Sequence, residues 1–111
     1  MTVKTREEVM AYCRTLGRVY ADAPFHDDNW VLMRHKTKAK RTFVFMFERQ
    51  GQLWLNLKNL PEWCDFWRQQ YESIQPAYHM NKVHWNSVIL DDTVPDDVVR
   101  QLIKESYLLT E

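Results

Sequence analysis

Residues 42–58 constrain the fold more than any other stretch of this chain. Thr42-Phe-Val-Phe-Met-Phe-Glu48 and Gln52-Leu-Trp-Leu-Asn-Leu-Lys58 are two strand-length runs rich in aromatic and branched side chains, separated by Arg49-Gln50-Gly51. Two such runs across a short glycine-bearing turn read as an antiparallel hairpin. In the second run Leu53, Leu55 and Leu57 alternate with Trp54, Asn56 and Lys58, the pattern of a half-buried strand. The first is apolar on both faces, Phe43, Phe45 and Phe47 against Val44 and Met46, which places it centrally. Such a sheet buries its apolar face under another layer.

Helical patterns on either side supply that layer. Thr5-Arg6-Glu7-Glu8 is a capping box, followed by Val9, Tyr12, Cys13 and Leu16 at helical spacing, with Gly17 as a stop. A helix is therefore predicted over residues 6–16. Arg18 to Asn29 is irregular, broken at Ala23-Pro24, and Trp30 to His35 is a short strand. Pro61 fits the first position of a second helix, with Trp63, Phe66 and Trp67 on one face and an end near Ser73. Gln75-Pro76-Ala77 reads as a connection and His84 to Leu90 as a strand. Pro95 opens a third helix with Asp96 and Asp97 in its first turn, where the helix dipole favours anions. Val99, Leu102, Ile103 and Ser106 form its buried stripe through Tyr107. The order is helix, three strands, helix, one or two strands, helix: one α+β domain over residues 1–111, with antiparallel sheet and packed helices.

Composition narrows the function classes. Fifteen basic and fifteen acidic residues leave a formal net charge of zero, which argues against a generic nucleic-acid binder whose affinity comes from an excess of Lys and Arg. The charge is uneven, however. Arg34, Lys36, Lys38, Lys40 and Arg41 follow one another with no acid between them, and a connection so charged can lie against a phosphate backbone or protect a sheet edge. Cys13 and Cys64 fall within helical patterns and read as reduced, buried thiols. The amino-terminal residues show no apolar leader, and no run approaches the ~20 apolar residues of a membrane span, so a cytoplasmic location is expected. Five Trp in so short a chain exceed what a small core needs; outward-facing members of the set Trp30, Trp54, Trp63 and Trp67 would make a protein-contact surface.

The densest functional vocabulary is Tyr78-His79-Met80-Asn81-Lys82-Val83-His84-Trp85-Asn86. If His84 begins a strand, its side chain shares a face with Asn86 while Trp85 turns into the core. His84 and Asn86 would then meet a polar ligand. The same residue types also cap loops and satisfy buried backbone groups. His26, His35, His79 and His84 lack metal-ligand spacing, no nucleophile elbow is present, and two glycines cannot build a phosphate-cradling loop. Neither metal nor cofactor is expected, and a non-enzymatic role is.

An ordered set of residues resembles the MmcQ/YjbR family: Ala23-Pro24-Phe25, Asn56-Leu57-Lys58 with Pro61, the run Pro76-Ala77-Tyr78 to Val88, Leu90-Asp91, and Ser106-Tyr107-Leu108-Leu109. The resemblance spans nearly the whole chain, and Tyr-His-Met-Asn-Lys-x-His-Trp-Asn is its specific part. It implies an α-β3-α-β2-α domain, similar to secretion chaperones and to the frataxin-like CyaY arrangement. It also implies DNA binding by analogy with double-wing domains. Ala77 stands where the family has Gly, so the turn need not take a positive φ here, and Val83 leaves one cation fewer beside the run. Candidate nucleic-acid contacts are Lys36, Lys38, Lys40, Arg41, Lys58, Lys82, His84 and Asn86. The alternative is a protein-interaction or chaperone-like domain holding a peptide or partner subunit.

Overall fold

The computed structural model describes residues 1–111 as α1 (Arg6–Leu16), β1 (Val19–Asp22), β2 (Val31–His35), β3 (Thr42–Arg49), β4 (Gln52–Lys58), α2 (Pro61–Gln70), β5 (Ile74–Pro76), β6 (Trp85–Ile89) and α3 (Asp96–Leu109). The strands form one antiparallel sheet in the order β1-β2-β3-β4-β6-β5. The β3–β4 hairpin lies at its middle, as the apolar pattern demanded. Gln50 and Gly51 both take positive φ (55° and 76°) between the paired residues Arg49 and Gln52. This is the mirror-image turn whose twist suits a two-residue hairpin.

The α+β class and antiparallel sheet hold, with one strand beyond the expected set. Val19–Asp22 pairs with β2 from His35 to Leu32, where the sequence reads as irregular. Four residues between Gly17 and Pro24 are too short for a period to show, and the pairing itself makes the strand. The predicted connection at Gln75-Pro76 belongs to the short edge strand β5.

All three helices cover the same face of the sheet. Beneath them lies the core: Met33, Phe43, Val44, Met46, Leu55, Leu57, Val88, Val9, Cys13, Val99, Leu102 and Ile103. The predicted stripe of α3 is buried at each of its four positions. On α2 the face is rotated from expectation. Cys64 is its buried residue, Trp67 is half-buried, and Trp63 and Phe66 point outward at 47% and 41% exposure.

The other face of the sheet carries no helix, yet it is not a bare polar surface. Trp54 and Asn56, expected to be the exposed positions of a half-buried strand, are 5% and 0% exposed. Tyr78 covers them: its ring packs on Trp54 and Phe47, and its carbonyl accepts from Asn56 Nδ2 at 2.9 Å. Residues 77–84 thus form a strap across the helix-free face.

Candidate nucleic-acid interface

Antiparallel order fixes where the candidate cations meet. β3 and β6 run the same way, because each pairs antiparallel with β4. The Lys36–Arg41 connection that leads into β3 and the Lys82–His84 segment that leads into β6 therefore lie at one end of the sheet, where β4 ends at Lys58. With strands about 4.8 Å apart, the starts of β3 and β6 are roughly 10 Å from each other. Lys36, Lys38, Lys40, Arg41, Lys82 and His84 are exposed and Lys58 is half-buried.

The loop geometry at this end is built by the backbone. His35 N–H donates to Arg41 C=O at 3.0 Å, and Lys36 N–H to Arg18 C=O at 3.0 Å. Arg34 Nη1 donates to Lys40 C=O at 3.2 Å, and Lys40 itself sits at φ 51°. None of Lys36, Lys38, Lys40, Arg41, Lys58 or Lys82 has a carboxylate within ion-pair distance; the ion pairs of the molecule join Lys4 to Asp92 and Asp96, Arg34 to Asp22, and Arg68 to Asp65. Asp22, Asp27, Asp28, Glu48, Asp91 and Asp92 lie at or beyond strand ends on the opposite side of the sheet. Asp65 and Glu111 lie near the cationic end. Asp65 is paired with Arg68, which also bonds Lys82 C=O, and Glu111 acts on the His35 ring. The charge is thus uneven but not cleanly divided between the two ends.

The distinctive run divides between scaffold and surface. Asn86 faces the helices at 4% exposure, and both polar ends of its amide are bonded within the protein. Oδ1 accepts from Arg68 Nε at 2.6 Å and Nδ2 donates to Cys64 C=O at 3.1 Å, tying β6 to α2. Asn86 is buried under α2 while His84 is exposed, so the pairing of Asn86 with His84 on one ligand-facing surface does not occur. The reason is local. Asn81 Oδ1 accepts from Val83 and His84 N–H groups at 2.9 and 3.3 Å, which holds His84 in a turn before the strand begins. Trp85, expected to anchor the core, lies half-buried on the helix-free side, edge-on to Phe45 at 5.5 Å. Ser87 Oγ accepts from Tyr78 N–H and donates to Asn56 Oδ1, fastening the strap from below. The left-handed residue of the strap is His79, at φ 60°. Ala77 is not among the positive-φ residues, as the Ala-for-Gly substitution implies.

Beside the strap, Phe25, Asp27, Trp30, Phe45, His79 and Met80 line an open cleft of about 400 Å³. Trp30 lies flat on Phe47 at 4.2 Å between centroids, and Phe25 meets Trp30 edge-on at 6.3 Å. Arg49 lies over the Tyr78 and Trp54 rings at 4.5 and 4.9 Å. The cleft draws on Phe25, Asp27 and Trp30, which precede β2, as well as on the family run. His79 and Met80 stand out in the sequence as part of that run. Phe25 enters the sequence reading only within Ala23-Pro24-Phe25 and Trp30 only as a strand residue and candidate contact aromatic, neither of which points to a cleft. Asp27 carries no signal of its own.

The two cysteines are not placed as nucleophiles. The thiols of Cys13 and Cys64 are buried and unbridged. Burial pushes Cys13 up to about 12 and raises Cys64 as well, which keeps both in the unreactive thiol form. No cluster of three His, Cys, Asp or Glu side chains is placed to hold a metal ion. No helix is long and apolar enough to cross a membrane.

The YjbR family model matches residues 14–109. The chain belongs to the YjbR family. It is 31% identical over 103 residues to YjbR of Escherichia coli K12, covering 93% of this chain and 84% of that protein. It is 32% identical to YyaQ of Bacillus subtilis, covering 96% and 98%. The crystal structure of a Deinococcus radiodurans protein with a DUF419 domain superposes with a TM-score of 0.87 at 35% identity, over 96% of this chain and 78% of that one. A Pseudomonas syringae protein at 24% identity shares the fold, with a TM-score of 0.85 over 96% and 99%. The Escherichia coli and Bacillus subtilis relatives are described as uncharacterised, so family membership carries the fold and leaves function to the chain's own surfaces.

Proposed function

We propose that this YjbR-family domain binds nucleic acid through the cationic end of its sheet and acts as a binding module, not a catalyst. The observation that carries the reading is the gathering of Lys36, Lys38, Lys40, Arg41, Lys58 and Lys82 at one end without a single carboxylate partner. Like charges held together repel, and a polyanion relieves that repulsion while releasing its own counterions. Fluorescence anisotropy with a labelled twelve-nucleotide strand tests it across 50–200 mM salt. A log–log slope near −3 is expected if about four phosphates are neutralised. Replacing Lys38, Lys40 and Arg41 together by Ala should flatten that slope by about 2. An affinity indifferent to salt overturns the proposal.

One observation favours a second reading. Leu60, Trp63 and Phe66 on and before α2 are 44%, 47% and 41% exposed, and Trp63 and Phe66 pack edge-on at 5.1 Å. Outward aromatics of this kind serve protein contact, with an identical subunit or a peptide as partner. Sedimentation equilibrium decides for self-association: a concentration-dependent mass abolished by Trp63→Ala supports it, and a monomer at millimolar concentration removes it.

A further inference from the structure

The geometry points to an unpaired nucleobase as the occupant of the aromatic cleft, with the phosphates of a single strand running from it onto the cationic end. This inference rests on the nucleic-acid reading and adds the strandedness of the ligand.

The cleft is of small-ligand size, within the roughly 300–1,000 Å³ usual for such sites. Its lining is mostly flat or soft: Phe25, Trp30, Phe45 and Met80, with His79 beside them. Rings of this kind take up any base by stacking, whatever its identity. The single charge among the lining residues is Asp27. One of its carboxylate oxygens accepts from Asn29 N–H at 2.7 Å, leaving the other for the amino group of a base edge. A carboxylate there repels phosphate, so the end of a nucleotide that enters is the base.

Phosphate is met outside. Phe45 pairs with Asn56, and Trp85 pairs with Lys58. Lys58 is therefore a diagonal neighbour of Phe45 on the same face, roughly 7–8 Å away. Trp85, on the far side of β4 and paired with Lys58, leans its half-exposed ring edge-on to Phe45. The helix-free face thus runs from ring to ring to cation, the layout of a surface that stacks bases and tracks a backbone. Bases inside a duplex are already stacked and paired and cannot enter the cleft. The strap keeps the site in shape: Tyr78 is fixed by Asn56 and Ser87, and His79 is held left-handed beside the cleft.

Anisotropy with three labelled twelve-nucleotide probes tests this: a mixed-sequence single strand, the same sequence as a duplex, and an abasic strand of equal charge. The single strand is expected to bind about tenfold more tightly than either of the others. Met80→Trp fills the cleft without removing a core contact, and Phe25→Ala strips a ring that is 52% exposed. Both should erase the preference while the salt slope stays. Thermal melts of the two variants establish that they are folded. Equal binding of all three probes with full salt dependence overturns the cleft and leaves the cationic end standing. Cleft-dependent binding that ignores salt keeps the cleft and removes the cationic end. Absence of binding to every probe overturns both.

Discussion

Ser106 sits on α3 with its hydroxyl between two neighbouring strands. It accepts from Lys58 N–H at 2.9 Å and donates to Phe43 C=O at 2.6 Å, so one side chain completes the ladder where β3 and β4 part and fastens the helix to both. Ser106→Ala leaves two buried backbone groups without partners, and a loss of about 2–3 kcal/mol is expected in urea unfolding. A loss smaller than about 1 kcal/mol would mean that water reaches the gap. One turn on, Thr110 Oγ1 donates to Ser106 C=O at 2.7 Å and faces His35 Nε2 at 2.8 Å. Its single proton is spent on the helix, so the ring nitrogen facing it carries a proton. His35 is 2% exposed, and burial holds its pKa below the ordinary 6.5 against the opposing pull of the Glu111 carboxylate. The unfolded chain therefore takes up a proton more readily than the folded one. The stability contributed here is complete above about pH 6.5 and drains as pH falls toward the folded-state value. Urea midpoints between about pH 7.5 and 5.5 should decline, and His35→Gln should shallow that decline even if it lowers every midpoint. An unchanged decline in the variant would assign it to other groups.

Elements meet where small residues permit it. Gly17 ends α1 as its place in the sequence suggests, but for another reason. Its φ of 164° is extended backbone open to any residue. What demands glycine is α3: a Cβ at position 17 would lie 2.0 Å from the Tyr107 hydroxyl and 3.1 Å from its Cζ. The Tyr107 ring cannot swing aside, since it packs on His35 and Phe43 at 4.6 and 5.3 Å. Gly17→Ala is expected to cost roughly 1–3 kcal/mol by overpacking. Adding Tyr107→Phe should recover part of that loss, a coupling that a double-mutant cycle reads directly. Strict additivity would show that α1 and α3 adjust independently. The same junction marks what the chain made legible. Long periodic segments, α1, α3 and the β3–β4 hairpin, follow from spacing alone because burial and period agree. β1 escaped because its evidence is the pairing of Val19 with His35, a contact no local pattern contains. The rotation of α2 escaped because Trp63, Phe66 and Trp67 fit a buried face as well as an outward one. Asn86 escaped because a buried amide bonded to Arg68 and Cys64 reads, in sequence, like an amide waiting for a ligand.

At the scale of the whole molecule the telling quantity is where charge lies, since its sum is zero. Lys4 and Lys38 are both exposed, and removing either changes the net charge by one. Lys4 is engaged with Asp92 at 2.5 Å and sees Asp96 at 3.8 Å, contacts that raise its pKa and hold it charged. It stands at the acidic end of the sheet. Lys38 has no carboxylate partner and stands at the other end. Beyond a Debye length, about 8 Å at physiological salt, an exposed charge is largely screened, so a polyanion at the cationic end does not register Lys4. Lys38→Ala should weaken binding of a twelve-nucleotide single strand several-fold at about 50 mM salt and flatten the log–log slope by about 0.7. Lys4→Ala, equal in net charge, should change affinity less than about twofold. If the two variants weaken binding equally, the attraction comes from the overall charge of the protein and the cationic end is not an interface. If only Lys38 matters, a neutral domain binds a polyanion because its fold starts two strands, β3 and β6, from the same edge.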